Sequence, residues 1–561
     1  GGFVKAGNWS AGECVEGTVH SMAGAVPESV VVEESGAQKV MIRAQGRHYA
    51  SASGVTKGLY GWIVWITAYA GKPYVDVQFV LTNTLLDGAG TGTIKVYAWP
   101  IKEWKMDLNL TGSGTWQGAF CEDALTNLDI NGKRLLQKVS GYVINGSASG
   151  TASQGGAILT NGSTGVRISN RDFANRSPKA ITLKPALLSM EWLPDTGSVT
   201  ALDPYSNYNN RFRMEFFSTL PSDSLTVFTR KANAPIRLLA PRSWYRDTDS
   251  WHRGFGLPPH STFNRVAPST WTRLEKPPTS WSKWGEIAGF NGVGDHWNLT
   301  SGFWNYLHTG KPSDFEFAEK YALYFNDVVS VQTPISRNKD LSYWLNCEKY
   351  LQTFGSANTE DMYHQSVSSY PGWTWRRGDR PDDGHMPNLM VLEHYYLTGD
   401  PASREAVMSQ AVRAATSVYF RVYASPYGPA GDPKYKGRVW NLDTLLYYGY
   451  GPRYVGRPII VAGQGYDISG DSLLLRPMQL YSYALRNWIR RSPIGYLGAF
   501  DAQDQGGMIN TWNANNPDVP PPLGCWMTDF QNGIATEGLY NYWQQTDDPE
   551  IHDALIFSGK S

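Results

Sequence analysis

The sequence of 561 residues lacks a net charge and has few charged residues of either sign. Lys and Arg together number 50, as do Asp and Glu, and charged residues make up 18% of the chain, below the roughly 25% typical of soluble domains. Because a broad basic surface is what attracts a phosphate backbone, this balance excludes nucleic acid as the partner. The chain also lacks an apolar run of about 18 residues, so we expect no membrane span.

Cysteine is scarce, and its spacing excludes several chemistries. Cys14, Cys121, Cys347 and Cys525 are far apart in the sequence, so no CxxC metal or redox motif exists. They are compatible with two disulfides or with four buried thiols. Zinc-ligand spacing, a phosphate loop, a nucleophile elbow and a dinucleotide fingerprint are all missing, and we expect no cofactor.

Aromatic residues, in contrast, are abundant. They make up 13% of the chain, and 22 of them are Trp. Trp and Tyr combine a flat apolar face with a polar edge, and a pyranose ring can stack on such a face. The composition therefore favours a neutral, hydroxyl-rich ligand such as a sugar. The alternative is that the aromatic rings simply fill two cores.

Asn-x-Ser/Thr sequons favour an exported glycoprotein, secreted or held at the cell surface. They begin at Asn8, Asn109, Asn145, Asn161, Asn175 and Asn298. No signal peptide is visible, and we expect the start at Gly1-Gly2 to be processed or trimmed.

Residues 1–235 show the two-residue period of strands. Within 74–81, Val75, Val77 and Phe79 point to one face together with Leu81. Further strands are predicted at 28–34, 38–44, 62–70, 94–99, 157–169, 181–192, 211–218 and 224–230. The run 62–70 is apolar enough to be buried on both faces. Many strands and few helices predict an N-terminal antiparallel β-sandwich.

Residues 236–295 are rich in Pro and Trp and have no clear period. A flexible linker would be rich in Gly and Ser and poor in aromatic residues. We therefore expect a connector that packs on the interface between two domains.

Residues 296–561 show a helical period and an internal repeat. Segments that begin at Phe303, Leu392 and Leu539 each contain an aromatic helix, a Thr-(Gly/Asp)-(Lys/Asp)-Pro turn and a second helix. Gly suits the end of the first helix and Pro the start of the next. A further helix without this turn is predicted at 478–488.

Such hairpins build either an open solenoid or a closed α/α toroid. The long insertions at 330–384 and 422–475 favour the toroid, with loops gathered at one mouth. Because the last predicted helix ends near Ser561, the second domain is predicted as an incomplete α/α toroid of helical hairpins.

Several segments resemble the exo-acting rhamnogalacturonan lyases and their relatives, polysaccharide lyases built from a β-sandwich and an α/α toroid. In the sandwich these segments are 59–83, 166–173 and 177–180, and in the toroid they are 294–298 and 385–400. The resemblance runs in order from about residue 28 to residue 420. It implies an enzyme that cleaves an acidic polysaccharide by β-elimination.

Two departures from that family stand out. The family usually carries a small β-barrel domain before the sandwich, and this chain starts too late to contain it. Where relatives show His-Ser-Trp, this sequence has His385-Met386-Pro387. Fold transfers better than substrate across such a gap.

Elimination beside a uronate carboxylate requires a cation on that carboxylate, a base for the neighbouring proton and an acid for the leaving oxygen. Arg gives the best carboxylate contact, and His and Tyr are the usual base and acid. These residue types are dense in 360–396 and recur in the Tyr-rich loop 447–454. The catalytic candidates are His385, His364, Arg376, Arg377, Tyr396 and Tyr450.

His385 precedes Pro387, a suitable first residue of a helix. A helix N-terminus disfavours a charged imidazole, so we expect His385 to stay neutral and able to accept a proton. His394 falls on another helix face and is predicted to be structural. The candidates for substrate binding are His296, Trp297, Asn298, Trp373, Trp375, Asn388, Arg453 and Tyr454. Packing, capping or a solvated surface is the alternative for each of them.

One metal alternative remains at the sequence level. Asp379, Asp382 and Asp383 could supply oxygen ligands to Ca²⁺. A solvated turn is the competing interpretation.

Two other functions remain open. A glycoside hydrolase of the same architecture would need two carboxylates about 5 Å or about 6.5–9.5 Å apart, with Glu360, Asp361, Asp379 and Glu393 as candidates. A non-catalytic surface, fibre or carbohydrate-binding protein, assembling as an oligomer or a fibre, would keep the fold without the chemistry.

Overall fold

The computed structural model describes much of the strand region and several helical hairpins. The described residues are 2–6, 18–22, 26–50, 59–82, 99–138, 140–162, 164–196, 200–202, 207–234, 240–241, 243–244, 303, 306–307, 310–324, 326–327, 389–419, 452–491 and 529–559.

The first part of the chain is built from antiparallel strands. Their bounds are Gly2–Ala6 (β1), Val19–Ser21 (β2), Ser29–Ser35 (β3), Lys39–Ala50 (β4), Leu59–Tyr69 (β5), Tyr74–Thr82 (β6), Trp99–Asn109 (β7), Gln117–Phe120 (β8), Thr126–Asn127 (β9), Lys133–Lys138 (β10), Gly141–Ile144 (β11), Ser147–Gly150 (β12), Gly156–Thr160 (β13), Gly165–Asn170 (β14), Lys179–Lys184 (β15), Leu187–Leu193 (β16), Thr200–Leu202 (β17) and Asn207–Phe217 (β18).

The strands pair into two layers. The first layer has the order β12-β11-β10-β15-β16-β7-β1-β2, with β17 also on β7. The second layer has the order β3-β4-β5-β6-β18-β14-β13-β8-β9. The end of β4 also pairs with β2, which joins the layers at one corner. The predicted antiparallel, sandwich-like arrangement is therefore present.

An aromatic core fills the space between the two layers. Trp104 on β7 and Trp192 on β16 are fully buried, with ring centroids 4.7 Å apart. Phe79 from the opposite layer meets both rings edge-on at 5.2 and 5.0 Å. Edge-to-face contacts of this kind add to the stabilisation from burial, so part of the aromatic excess is explained by packing.

Strand β6 has two buried faces, although its sequence alternates as predicted. Val77, Phe79 and Leu81 lie in the sandwich core. On the other face, Val80 packs with Trp65 and with Ala402 of the helical region. The alternation therefore predicts which side chains share a face, while the second face is covered by helices.

Some strand predictions are wrong in their extent. The predicted strand 157–169 is the hairpin β13–β14, and 181–192 covers parts of β15 and β16 around Ala186, which has a φ of 61°. The run 62–70 is not buried throughout, since Ile66 is 39% exposed. Of the predicted strand 94–99 only Trp99, the first residue of β7, lies within the described residues.

The predicted strand 224–230 is a helix, Leu225–Asn233 (α1). Ser224 caps it by accepting a hydrogen bond from the Val227 amide through its hydroxyl at 3.2 Å. The run Thr226-Val227-Phe228 favours a strand, but the cap and the burial of Phe228 against the sheet decide the outcome.

The other described helices form the second part of the chain. Their bounds are Pro312–Tyr324 (α2), Leu389–Thr398 (α3), Pro401–Tyr419 (α4), Pro452–Ser469 (α5), Ser472–Arg491 (α6), Asp529–Thr546 (α7) and Pro549–Gly559 (α8). The pairs α3–α4, α5–α6 and α7–α8 are hairpins with short turns.

The hairpin turns share one geometry. Gly310, Gly399, Gly470 and Asp547 all have a positive φ, between 52° and 67°. Each donates its amide at 2.7 Å to the carbonyl four residues earlier, which closes the preceding helix in the left-handed way. The predicted turns are thus confirmed within the described residues. A fourth turn, at Gly470, lacks the proline and was not predicted.

Helix α5 corrects the predicted insertion 422–475, because residues 452–469 are helical. The predicted helix 478–488 is the middle of the longer α6. Helices α5 and α7 approach closely and run in the same direction. A Cβ atom at Gly456 would lie 2.7 Å from the Ala535 Cα atom, so the contact requires glycine. The closed or incomplete ring itself stays a prediction.

The aromatic core predicts a large loss of stability on truncation. We expect Trp192→Ala to lower the free energy of unfolding by about 3–5 kcal/mol, because it leaves a cavity against Trp104 and Phe79. Urea unfolding measures the change. The control is Val32→Ala on β3, where the side chain is 57% exposed and we expect a change within about 0.5 kcal/mol. Equal effects of the two substitutions would contradict this description of the core.

Candidate functional site

The described residues include few of the predicted site residues. Outside them lie His385, His364, Arg376, Arg377, Tyr450, His296, Trp297, Asn298, Trp373, Trp375 and Asn388, together with Asp379, Asp382 and Asp383. Arg453 and Tyr454 belong to the first turn of α5. Their roles stay predictions.

Tyr396 is the catalytic candidate whose side chain the structure describes. It is 52% exposed on α3, with its ring 5.8 Å from that of Tyr395. At 1.5 Å per residue, Tyr396 lies about 10 Å along the axis from Leu389, where the helix begins. Tyr396 is therefore accessible to a ligand, but at the turn end of α3 rather than beside the residues that precede the helix.

His394 is structural, as predicted. Its ring is fully buried and stacks on Phe303 with centroids 6.0 Å apart. Nδ1 lies 2.7 Å from the Ser403 hydroxyl, and Nε2 lies 3.4 Å from a Glu319 carboxylate oxygen. These contacts join α2, α3 and the start of α4.

Glu319 on α2 also joins the helices to the sandwich. Arg171 donates to both carboxylate oxygens of Glu319, at 2.9 and 2.8 Å, and Arg211 donates to one of them at 2.9 Å. Arg211 also donates to Asp172 at 3.0 Å. Burial alone raises the pKa of Glu319, but Arg211, Arg171 and His394 together hold that pKa well below its usual value.

A second buried pair lies next to this group. Arg176 donates to Asp327 at 2.5 Å and to the Asn209 carbonyl at 2.5 Å, and the Asn209 amide donates to Asp327 at 3.3 Å. Asp327 is 1% exposed. Burial raises its pKa to about 7 in spite of Arg176. The Arg171–Glu319 group and this pair are largely buried between the helices and the sandwich, so we assign them to assembly rather than chemistry.

A third set of contacts lies further along the same sheet. Arg43 on β4 donates from Nε and Nη2 to the two carboxylate oxygens of Glu405, at 2.9 and 2.6 Å. Gln78 on β6 donates to Asp400 in the turn between α3 and α4, at 3.2 Å. The second layer of the sandwich is therefore the surface on which the helices rest.

The sequence segments behind the lyase resemblance meet at this contact. Segment 166–173 supplies Arg171, segment 59–83 supplies Gln78, and segment 385–400 supplies His394 and Asp400. The sequence analysis did not identify the role of Arg171 and Arg211. Their positions, just after β14 and on β18, could have indicated it, because both strands are rich in buried residues.

Cys121 is a free thiol, so the alternative of two disulfides does not hold. Its sulfur donates to the Thr229 hydroxyl at 3.3 Å. Burial raises the thiol pKa to about 11, which makes it a poor nucleophile.

Neither a metal site nor a membrane span occurs in the part of the chain that the structure describes. There is no group of three or more His, Cys, Asp or Glu side chains placed to hold a metal ion. None of the described helices is long and apolar enough to cross a membrane.

An open cavity of about 480 Å³ lies where α5 and α7 end. Its lining includes Tyr466, Asp467, Tyr540, Trp543, Gln545 and Asp547. None of these residues was predicted as a site residue, although the third repeat copy contains Tyr540 and Trp543. A volume of this size is typical of a small-ligand site.

Comparison with known proteins gives structural similarity without a family. No family model matches the sequence, and no curated protein matches it. A polysaccharide lyase aligns over 99% of this chain and 85% of its own, with 10% identity and a TM-score of 0.24. A TPR-domain-containing protein from Parabacteroides distasonis aligns over 80% and 70%, with 10% identity and a TM-score of 0.22.

A protein classed as an aldose 1-epimerase, from Klebsiella pneumoniae, aligns over 36% of this chain, with 13% identity and a TM-score of 0.24. The chain spans 56% of the length of that protein. At such low TM-scores these similarities assign no activity, so the function has to be argued from the residues of the chain itself.

The position of Glu319 predicts a specific loss of stability. We expect Glu319→Gln to lower the free energy of unfolding by about 3–5 kcal/mol at pH 7, because two partly buried guanidinium groups lose their shared anion. A carboxylate whose pKa is depressed stabilises the fold above its unfolded-state value, near 4.5, and that contribution is lost as the pH falls towards the folded-state value. The difference between wild type and variant should therefore shrink below about pH 4.5.

Urea unfolding at several pH values measures this difference. The matched control is Glu316→Gln, an exposed carboxylate on the same helix, which we expect to change stability by less than about 0.5 kcal/mol. A difference for Glu319→Gln that grows on acidification would contradict the assigned role.

Proposed function

We propose that this protein is a carbohydrate-active enzyme that cleaves a uronic-acid-containing polysaccharide by β-elimination. The observation that carries the proposal is the density of imidazole, guanidinium and phenol side chains in residues 360–396. This segment leads into α3, in a chain whose order of antiparallel strands followed by helical hairpins is the one implied by the lyase resemblance.

In the proposed reaction the substrate binds with a uronate at the segment 360–396. Arg376 or Arg377 pairs with the carboxylate and stabilises the negative charge that develops when the neighbouring C–H proton leaves. His385 or His364 accepts that proton. Tyr450 donates a proton to the leaving glycosidic oxygen as the C–O bond breaks, which leaves an unsaturated uronate.

The remaining candidates would contact sugars on either side of the cleaved bond. Stacking on Trp297, Trp373 and Trp375 suits pyranose faces. Tyr396 is exposed, but at the far end of α3. We therefore place Tyr396 against a sugar further along the polysaccharide rather than at the reacting atoms.

One of the four carboxylates proposed for the hydrolase alternative is inaccessible to a substrate. Glu393, one of its four candidates, is fully buried on α3. A carboxylate in that position cannot reach a glycosidic oxygen without unpacking the helix, so no described observation favours hydrolysis over elimination.

Secretion is part of the proposal. Three of the sequon residues, Asn109, Asn145 and Asn175, are exposed on the sandwich. Their accessibility suits glycosylation in a host that has the machinery.

Absorbance tests the proposed reaction directly. Incubation with pectic, ulvan-type and glucuronan polymers should raise the ultraviolet absorbance through the new carbon–carbon double bond. We expect His385→Ala to lower the rate by at least about 100-fold, since it removes the base. A reducing-end assay run in parallel separates hydrolysis from elimination.

The matched controls protect against a folding artefact. Arg376→Ala should lower the rate, whereas Arg230→Ala, which removes an exposed arginine on α1, should not. Thermal unfolding checks that every variant is folded. Reducing ends without the absorbance rise, or full turnover by His385→Ala, would refute the proposal.

A further inference from the structure

The cavity between the C-terminal ends of α5 and α7 has the composition of a sugar-binding site. Its walls present two phenols, an indole, two amides and two carboxylates. Flat rings next to hydrogen-bonding groups fit a pyranose, which offers an apolar face and a ring of hydroxyls.

The aromatic wall of the cavity is held in place by packing. The Trp543 ring lies 5.6 Å from that of Tyr540 and 5.0 Å from that of His552 on α8. Trp543 also packs against the helical core. A ring fixed in this way loses little side-chain freedom when a ligand stacks on it.

The amide side chains leave hydrogen-bonding capacity unused. Gln545 donates to the Gly463 carbonyl and to Asp467, both at 3.1 Å, and Gln544 donates to the Tyr540 hydroxyl at 2.9 Å. The amide oxygens of Gln544 and Gln545 are buried without a hydrogen-bond partner. An unsatisfied buried acceptor is costly. The last torsion of glutamine is soft, so a ligand hydroxyl in the cavity can supply the missing donor.

The charge of the described lining disfavours an acidic sugar. Asp467 and Asp547 line the cavity, and none of the described lining residues is Lys, Arg or His. Carboxylates accept hydrogen bonds from sugar hydroxyls, and such charge-assisted bonds are strong. They would repel a uronate.

Asp547 provides an independent pointer to a ligand. It occupies the left-handed position that closes α7, with a φ of 52°, where the other described turns have Gly310, Gly399 and Gly470. An aspartate there is strained relative to glycine. Its side chain lines the cavity, and strain kept at such a position is typical of functional sites.

We propose that this cavity binds a neutral, hydroxyl-rich saccharide unit, with Trp543 and Tyr540 against the ring face and Asp467 and Asp547 on its hydroxyls. This binding site is separate from residues 360–396. It does not depend on the proposed elimination, since binding requires no turnover.

Isothermal titration of the full chain tests the site. The probes are four neutral tetrasaccharides, of β-1,4-linked glucose, mannose, xylose and galactose, and one acidic probe, tetragalacturonate. We expect at least one neutral probe to bind and tetragalacturonate not to compete with it. Trp543→Ala should weaken binding by at least about tenfold, which corresponds to about 1.4 kcal/mol.

A second variant separates binding from folding. Asp547→Gly should raise the midpoint of thermal unfolding, because glycine relieves the left-handed strain, and should weaken saccharide binding by about tenfold or more. The matched control is Phe216→Ala, which removes a 48% exposed ring on β18 and should leave the affinity unchanged. The proposal is overturned if no neutral probe binds, if tetragalacturonate competes for the site, or if Asp547→Gly keeps the full affinity.

Discussion

The contact between the sandwich and the helices is organised around one buried carboxylate. Glu319 on α2 is 6% exposed and accepts hydrogen bonds from Arg171 and Arg211, which stand on the outer face of the second sheet. Moving an unpaired carboxylate into such a place would cost several kcal/mol. Two guanidinium groups and the imidazole of His394 offset that cost, so the contact with the sheet stabilises α2. The positions of α3 and α4 follow, because His394 and Ser403 are hydrogen-bonded to each other beside Glu319.

This constraint changes the meaning of the sequence segments that resemble polysaccharide lyases. The segments that contribute Gln78, Arg171 and Asp400 meet at the surface where strands and helices join. Such residues are needed to assemble a sandwich with helical hairpins, whatever the helices then do. The resemblance in these segments therefore concerns architecture. The proposed chemistry rests on other residues, chiefly Arg376 and His385, and the saccharide site proposed at Trp543 is separate from both.

Sequence patterns of a few residues predicted local structure well, but they did not predict contacts between residues that are distant in the sequence. The alternation through Val77 and Phe79 predicted the core face of β6, and Gly followed by Pro predicted the turn at Gly399, because each pattern acts over a few residues. The segment 224–230 was misread as a strand, since its β-branched residues outweighed the cap at Ser224.

The Arg171–Glu319 pair joins residues 148 positions apart, and no period or spacing reveals such a pair. In the sequence, Asp547 stands out only because the other repeat copies have glycine at the same position. The cavity beside it could not be predicted, because it depends on the close parallel packing of α5 and α7. The residues of 360–396 stay predictions from residue type.

The contacts of Glu319 imply that the sandwich and the helical hairpins unfold as one cooperative unit. Differential scanning calorimetry of the unaltered protein measures this most directly, because it compares the calorimetric enthalpy of unfolding with the van't Hoff enthalpy. We expect a single transition in which the two enthalpies agree, since helices that lose the sheet leave Arg171 and Arg211 without their shared carboxylate. Two separate transitions, with the sandwich and the helices melting independently, would contradict it.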